Sequence, residues 1–246
     1  MKAMIFAAGL GTRLRPLTDN IPKALVKVGG VTMLERVLRK VKAAGIEEIV
    51  VNTHHFADKV DSFLKSSPDL SEGVRVSREE AEALETGGGI RHARSLLEGS
   101  GSFLMHNVDI LSDIDLKAFA AEHRDDCLAT LAVHEAEADR YFLFDGQMRL
   151  VGWTDARTGE VRSPFPGLEA EKCRRLSFCG VHILSDEVFP LMEDWPERFG
   201  IVDFYLSAAA RHTIRGVVQE GIRLIDIGSP EKLAEAERFA GSGKFD

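Results

Sequence analysis

Gly9, Gly11, Arg13 and Lys23 bring the ingredients of phosphate chemistry into the first 23 residues of the chain. They stand in the run Ala7-Ala8-Gly9-Leu10-Gly11-Thr12-Arg13-Leu14-Arg15-Pro16-Leu17-Thr18, closed by Pro22-Lys23. The run follows an apolar, strand-like stretch. Glycines let the backbone approach a bound group closely and turn its N–H donors inward, which suits phosphate oxygens. Arg13 and Lys23 add fixed positive charge. A strand, a glycine turn and two cations together suggest a nucleoside triphosphate held for attack at phosphorus.

The two common glycine-loop motifs fail on spacing. A dinucleotide fingerprint needs a third glycine where this chain has Leu14, and an acidic residue about 20 positions further on, where it reads Gly29-Gly30-Val31-Thr32. A phosphate loop needs Gly-Lys-Ser/Thr after four intervening residues, which is absent. Two carboxylates add to the N-terminal run. Asp109 stands just past the C-terminal end of an expected strand, in Met105-His106-Asn107-Val108-Asp109-Ile110, at the edge where open α/β sheets bind ligands. Asp226, in Leu224-Ile225-Asp226-Ile227-Gly228-Ser229-Pro230, ends a second short apolar run. Asp109 beside a phosphate loop is a natural Mg²⁺ ligand. Either aspartate could instead form a turn or anchor a helix, as Asp113 and Asp115 could nearby. A third segment, Leu84-Glu85-Thr86-Gly87-Gly88-Gly89-Ile90, offers close backbone approach and helix N-terminal donors.

These residues need a scaffold, and hydrophobic periodicity supplies one. Strands are expected over 2–8, 48–52, 74–77 and 102–108, and helices over 32–44, 56–64, 88–97 and 116–123. This β–α–β rhythm predicts an α/β fold with a mostly parallel sheet and helices on both faces. The second half changes character. Expected strands at 128–133, 141–144, 150–154, 160–162 and 175–184 are separated by turns such as Asp145-Gly146 and Thr158-Gly159, which predicts a small antiparallel extension. Residues 189–192 and 202–210 read as helical. A hairpin is expected from 214–219 and 222–226 around Glu220-Gly221, then a last helix capped by Ser229 with Pro230 in its first turn.

The chain has 246 residues, 44% of them hydrophobic, enough for one large core. We expect a single domain over 1–240 and a frayed tail over 241–246. A net charge of −8 with no long basic run argues against nucleic acid as a partner. Cys127, Cys173 and Cys179 are odd in number, without metal-ligand spacing, and read as reduced thiols. The N-terminal apolar stretch is too short for a signal peptide, and no run approaches the roughly 20 apolar residues of a membrane span. A soluble cytoplasmic protein is expected. The 8 histidines form no ligand set, and no nucleophile–base arrangement is legible.

Gly9-Leu10-Gly11-Thr12-Arg13 with Pro22-Lys23 resembles the opening motif of the sugar-phosphate nucleotidylyltransferases. Asp226-Ile227-Gly228-Ser229-Pro230 is similar to their second acidic motif, with Ser229 in place of Thr. Glu85-Thr86-Gly87-Gly88-Gly89 resembles the branch of N-acetylmuramate 1-phosphate uridylyltransferases and some mannose 1-phosphate guanylyltransferases. The resemblance spans almost the whole chain. It implies a Rossmann-like nucleotidyltransferase fold with a central mixed sheet and no C-terminal β-helix. It implies transfer of a nucleotidyl group from an NTP, with UTP favoured, to a sugar 1-phosphate, giving NDP-sugar and pyrophosphate. By the same resemblance Ala8, Gly9, Gly11, Thr12, Arg13, Glu85, Gly87 and Gly88 contact the nucleotide, and Asp109 and Asp226 hold Mg²⁺. Arg13 then stabilises the departing pyrophosphate, and Lys23 sits between the α-phosphate and the acceptor. Gly180, in Phe178-Cys179-Gly180-Val181, lines the sugar-phosphate pocket.

Two departures from the family pattern stand out. Val108 replaces a glycine next to Asp109, and a branched side chain there crowds the ribose. The acceptor motif Glu-Lys-Pro is missing, and Val151-Gly152-Trp153-Thr154-Asp155-Ala156 stands in its place, with Asp155 a replacement acid for sugar hydroxyls. A cytidylyltransferase acting on phosphocholine or another phosphorylated alcohol, and a sugar-nucleotide-binding regulator without turnover, are the alternative readings.

Overall fold

Alternation along the first strand sets the architecture. In β1 (Lys2–Phe6), Met4 faces one core layer while Ala3 and Ile5 face the other, so both sides must be covered. The computed structural model describes residues 1–80 and 82–240, so the expected tail at 241–246 lies outside the described residues. After β1 come the short ribbon β2 (Lys27–Val28) and β3 (Val31–Thr32), then α1 (Met33–Ala43), β4 (Ile49–Thr53), α2 (Ala57–Lys65), α3 (Pro68–Ser71) and β5 (Val74–Arg78). Next are α4 (Glu85–His92), α5 (Arg94–Leu97), β6 (Ser102–Asn107), β7 (Ile110–Ser112), α6 (Leu116–Ala121) and β8 (Ala129–His134). The remainder is β9 (Arg140–Phe144), β10 (Leu150–Asp155), β11 (Val161–Arg162), β12 (Arg174–Ser185), α7 (Val188–Leu191), α8 (Ile201–Ala208), β13 (Ile214–Val218), β14 (Leu224–Asp226) and α9 (Pro230–Ala240).

The expected α/β architecture is present. Parallel strands in the order β6-β1-β4-β5 form the centre of a mixed sheet. The long β12 joins antiparallel to β6 and carries β8 along its inner part and β9 along its outer part. Beyond β9, β10 and β11 complete the antiparallel extension. On one face α1, α2 and α6 bury Leu34, Val37, Leu38, Val41, Val60 and Phe119. On the other, α4, α7 and α8 bury Ile90, Phe189, Phe204 and Tyr205. Helix α1 starts where the Thr32 side chain accepts a hydrogen bond from the Glu35 N–H, satisfying one of its orphan donors. No helix among the described residues is long and apolar enough to cross a membrane.

Two expectations fail, and both failures bear on the site. Residues 214–226 do not form a hairpin. Strand β13 runs parallel to β8, while β14 pairs antiparallel with β7, setting Asp226 opposite Ile110. The division follows burial: Ile214 joins the main core, whereas Ile225 joins a separate cluster with Leu14, Val26, Leu111 and Ala236. The helix expected over 88–97 is instead α4 and α5, and α4 begins at Glu85. All three consecutive glycines therefore lie inside α4, two residues past its start.

Candidate active site

The C-terminal ends of β1 and β6 and the β7–β14 ribbon converge on one cluster of charge. After β1 the chain turns through Gly9 and Gly11. Gly11 has φ +65° and opens a short 3-10 turn (Thr12–Leu14) in which the Leu14 N–H donates to the Gly11 carbonyl at 3.0 Å. The Thr18 hydroxyl donates to the same carbonyl at 2.7 Å and pins the loop. A Cβ on Gly11 would stand 3.2 Å from Thr18 and 3.5 Å from the Lys23 side chain, so the glycine permits the close approach of these two segments. A second 3-10 turn (Leu17–Asp19) follows, and Lys23 opens a third (Lys23–Leu25), directly after Pro22.

The Lys23 ammonium donates to Asp109 Oδ2 at 2.5 Å and approaches Asp226 Oδ1 at 3.5 Å. The Lys23 side chain is only 10% exposed, whereas Asp109 is 25% and Asp226 49% exposed, so the carboxylates face outward from a buried cation. The ribbon explains the pairing: Asp226 lies opposite Ile110, and the Ile227 N–H donates to the Asp109 carbonyl at 3.0 Å. Arg13 completes the set. A Cβ on Gly228 would lie 2.9 Å from Arg13 Nη2 and 3.0 Å from Asp226 Oδ1, so both crowd the same glycine. Burial, and then the neighbouring Asp109, push the Asp226 carboxyl up, with Lys23 and Arg13 acting against them. Arg13, Lys23, Asp109 and Asp226 thus share one site, as the sequence led us to expect.

Two convergent carboxylates are a suitable donor set for Mg²⁺, which usually takes one or two protein carboxylates and completes its shell with phosphate oxygens and water. No group of three or more acidic, histidine or cysteine side chains among the described residues makes an all-protein cage. The buried histidines do not supply a base. Burial pushes His106 down to about 4 and His182 down to about 3. Cys179, its thiol pushed up to about 12 by burial, is no nucleophile.

Gly180 borders the cluster. It has φ +70° at an irregularity of β12, and a Cβ there would lie 2.8 Å from Ile110 Cγ1 and 3.1 Å from Asn107 Nδ2. Val108 is 4% exposed and packed in the core beside Val181 and Leu104, so its bulk is spent inward and not on a ligand. Ala8 is buried, while Gly9 and Thr12 are exposed at the loop surface.

The glycine-rich segment departs from expectation. The Gly87 and Gly88 N–H groups donate to the Phe199 carbonyl at 2.9 and 3.2 Å, so these donors are committed to the protein itself. Glu85, at φ +62°, accepts from Arg198 Nε at 2.9 Å. Asp155 also differs from its expected role. Its carboxylate accepts from the Arg157 and Thr158 N–H groups at 2.9 and 3.3 Å and pairs with Arg140 and Arg157, which organises a turn and leaves little for a sugar. Sequence reading missed Glu79. It is 2% exposed, accepts from Asn52 Nδ2 at 3.0 Å and from the Leu84 N–H at 2.8 Å, and so fixes the start of α4 to β4. Nothing in the acidic run Glu79-Glu80 marks one member as buried.

Residues 2–144 match the family model described as nucleotidyl transferase. The chain is 35% identical, over 97% of its length and 96% of the relative's, to N-acetylmuramate alpha-1-phosphate uridylyltransferase of Caulobacter vibrioides. It is 32% identical to the enzyme of the same name from Neisseria meningitidis serogroup B, over 99% of this chain and 100% of that one. The fold superposes on a putative glucose-1-phosphate thymidylyltransferase from Bacillus anthracis with a TM-score of 0.79, at 19% identity, covering 98% of this chain and 95% of the other. With the strand-end carboxylates, the glycine loop and its two cations already in place, these matches put the chain in the nucleotidyl transferase family, among the sugar-phosphate nucleotidylyltransferases.

Proposed function

We propose that the protein transfers a uridylyl group from UTP to N-acetylmuramate α-1-phosphate, giving UDP-N-acetylmuramate and pyrophosphate. The observation that carries this reading is the Lys23 ammonium between Asp109 and Asp226, with Arg13 alongside. The uridylyl donor and the acceptor rest on the two relatives that align over nearly their full length.

The acceptor phosphate oxygen attacks the α-phosphorus in line, and pyrophosphate leaves. A phosphate monoester is already ionised at neutral pH, so no general base is required, in keeping with histidines held neutral by burial. The work left to the protein is positioning and charge neutralisation. Lys23 neutralises the α-phosphate and the incoming acceptor. Arg13 takes up charge on the departing pyrophosphate. Asp109 and Asp226 would hold Mg²⁺, which when bound draws charge off the phosphate oxygens. Gly9 lets the backbone approach the triphosphate, and Gly11 lets the Lys23 segment close in behind it.

Pyrophosphate release, measured over four NTPs and a panel of acceptors, tests the proposal. The panel holds N-acetylmuramate, N-acetylglucosamine, glucose and mannose 1-phosphates, with phosphocholine as the outlier. We expect release that requires UTP and N-acetylmuramate 1-phosphate together and stops on addition of a chelator. Release from CTP and phosphocholine would select the alcohol-phosphate reading. Binding of UDP-N-acetylmuramate without release for any pair would select the regulator.

A further inference from the structure

A second group of charges converges away from the phosphate cluster, where the antiparallel extension meets the starts of α4 and α8. Arg162 of β11 pairs in register with Trp153 of β10, and its guanidinium carbon stands 5.5 Å from the indole ring centre. Arg162 Nη2 donates to Asp203 Oδ1 in α8. A Cβ on Gly200 would lie 3.5 Å from Glu85 Oε2 and 3.6 Å from Asp203 Oδ2, so the first residue of α4 and the α8 aspartate face one another across this glycine. Arg162 is 39% and Asp203 49% exposed, and Trp153 is half-buried.

Strand pairing ties this patch to β12, the strand that carries Gly180. Trp153 lies opposite Phe142, and Phe142 opposite Leu176 of β12, so two strand spacings, roughly 10 Å, separate Trp153 from β12. Phe142 packs edge-on against Phe178 at 5.6 Å, two residues before Gly180, where an added Cβ would meet Asn107 and Ile110 beside Asp109. The stretch 151–156 is also where the family's acceptor motif is missing, and Asp155 is taken up in its own turn.

We propose that Trp153 and Arg162 form the distal half of the acceptor site, and that Arg162 binds a carboxylate carried by the sugar. The inference rests on the proposed acceptor, because N-acetylmuramate differs from N-acetylglucosamine by a lactyl ether that ends in a carboxylate. A cation beside that carboxylate favours the former over the latter. Stacking on the indole holds the guanidinium plane in place, and its fork matches a carboxylate in two parallel hydrogen bonds. The bond to Asp203 is an exposed ion pair, which is weak, so a substrate carboxylate can replace it. Arg140 and Arg157 are tied to the buried Asp155.

The test is calorimetric binding of N-acetylmuramate 1-phosphate and N-acetylglucosamine 1-phosphate to the protein loaded with a non-hydrolysable UTP analogue. The wild type is compared with Arg162→Met and Arg162→Lys, and thermal unfolding checks the fold. The preference for the muramate acceptor, as a ratio of Kd values, should fall at least tenfold in Arg162→Met and partly recover in Arg162→Lys. Equal weakening of both acceptors, or an unchanged ratio, overturns the assignment of Arg162 while leaving the proposed reaction standing. A wild type that prefers N-acetylglucosamine 1-phosphate overturns the acceptor reading itself, and this inference with it.

Discussion

Two glycine-rich segments of this chain look alike on paper and do opposite things in space. Around Gly9 the glycine leaves room: a Cβ added there meets nothing within 4 Å. Around Gly87–Gly89 the room is already filled. A Cβ on Gly87 would come within 2.3 Å of the Phe199 ring, one on Gly88 within 2.5 Å of the Glu197 carbonyl, and one on Gly89 within 2.8 Å of Glu79 Oε1. The first segment keeps space open beside the exposed Arg13 and the largely buried Lys23. The second lets a helix sink against the segment before α8 and against the Glu79–Asn52 pair. Glycine content alone therefore does not mark a ligand loop, and the distinction lies in whether protein or solvent occupies the missing side chain's place.

The largest effect should come from the charges the first segment positions. Lys23→Ala or Asp109→Ala should lower kcat by at least ~10²-fold, the scale of a lost electrostatic stabiliser. Steady-state pyrophosphate release checks it. Near-wild-type turnover in either variant would mean that the open loop serves something other than phosphate transfer.

A smaller effect separates packing from binding. Gly88→Ala meets main chain, which cannot rotate away, so it should destabilise by about 1–3 kcal/mol, the usual cost of overpacking. For a chain of this size that is a fall of roughly 2–12 °C in Tm. Gly87→Ala meets the buried Phe199 ring, which is packed against Trp195 and Phe204, so its fall should be comparable. Differential scanning calorimetry of both variants sharpens the contrast. An undiminished Tm with a raised KM for UTP would return this segment to the nucleotide.

Much of the site was legible because its signals are local. A strand-end aspartate, a glycine turn and a Pro-Lys pair each announce themselves within a few residues, and Arg13, Lys23, Asp109 and Asp226 meet as expected. The β–α–β rhythm likewise sufficed for the parallel centre, where each strand and helix carries its own period. What failed depends on distant partners. Residues 214–226 read as a hairpin because a turn sequence lies between two apolar runs. In space β8 and β7 compete for those runs and win separately. Glu79 looks like any surface glutamate until Asn52 and the Leu84 N–H enclose it. Asp155 kept a sugar role only while its neighbours Arg140, Arg157 and Thr158 were unplaced.

The smallest expected effect is the most discriminating. Gly9 is exposed, lies outside the left-handed region and has no neighbour within reach of a new methyl group. Gly9→Ala should therefore change stability by no more than about 0.5 kcal/mol, as surface substitutions usually do. If the open space belongs to the triphosphate, the same methyl group must collide with it, and KM for the NTP should rise roughly tenfold, the equivalent of about 1.4 kcal/mol. The pairing of a silent Tm with a raised KM is the signature of a glycine kept for a ligand. A lowered Tm would show that Gly9 serves the fold, as Gly88 does. An unchanged KM would mean that the backbone of this loop stays clear of the nucleotide, and would leave recognition to the Arg13 and Lys23 side chains alone.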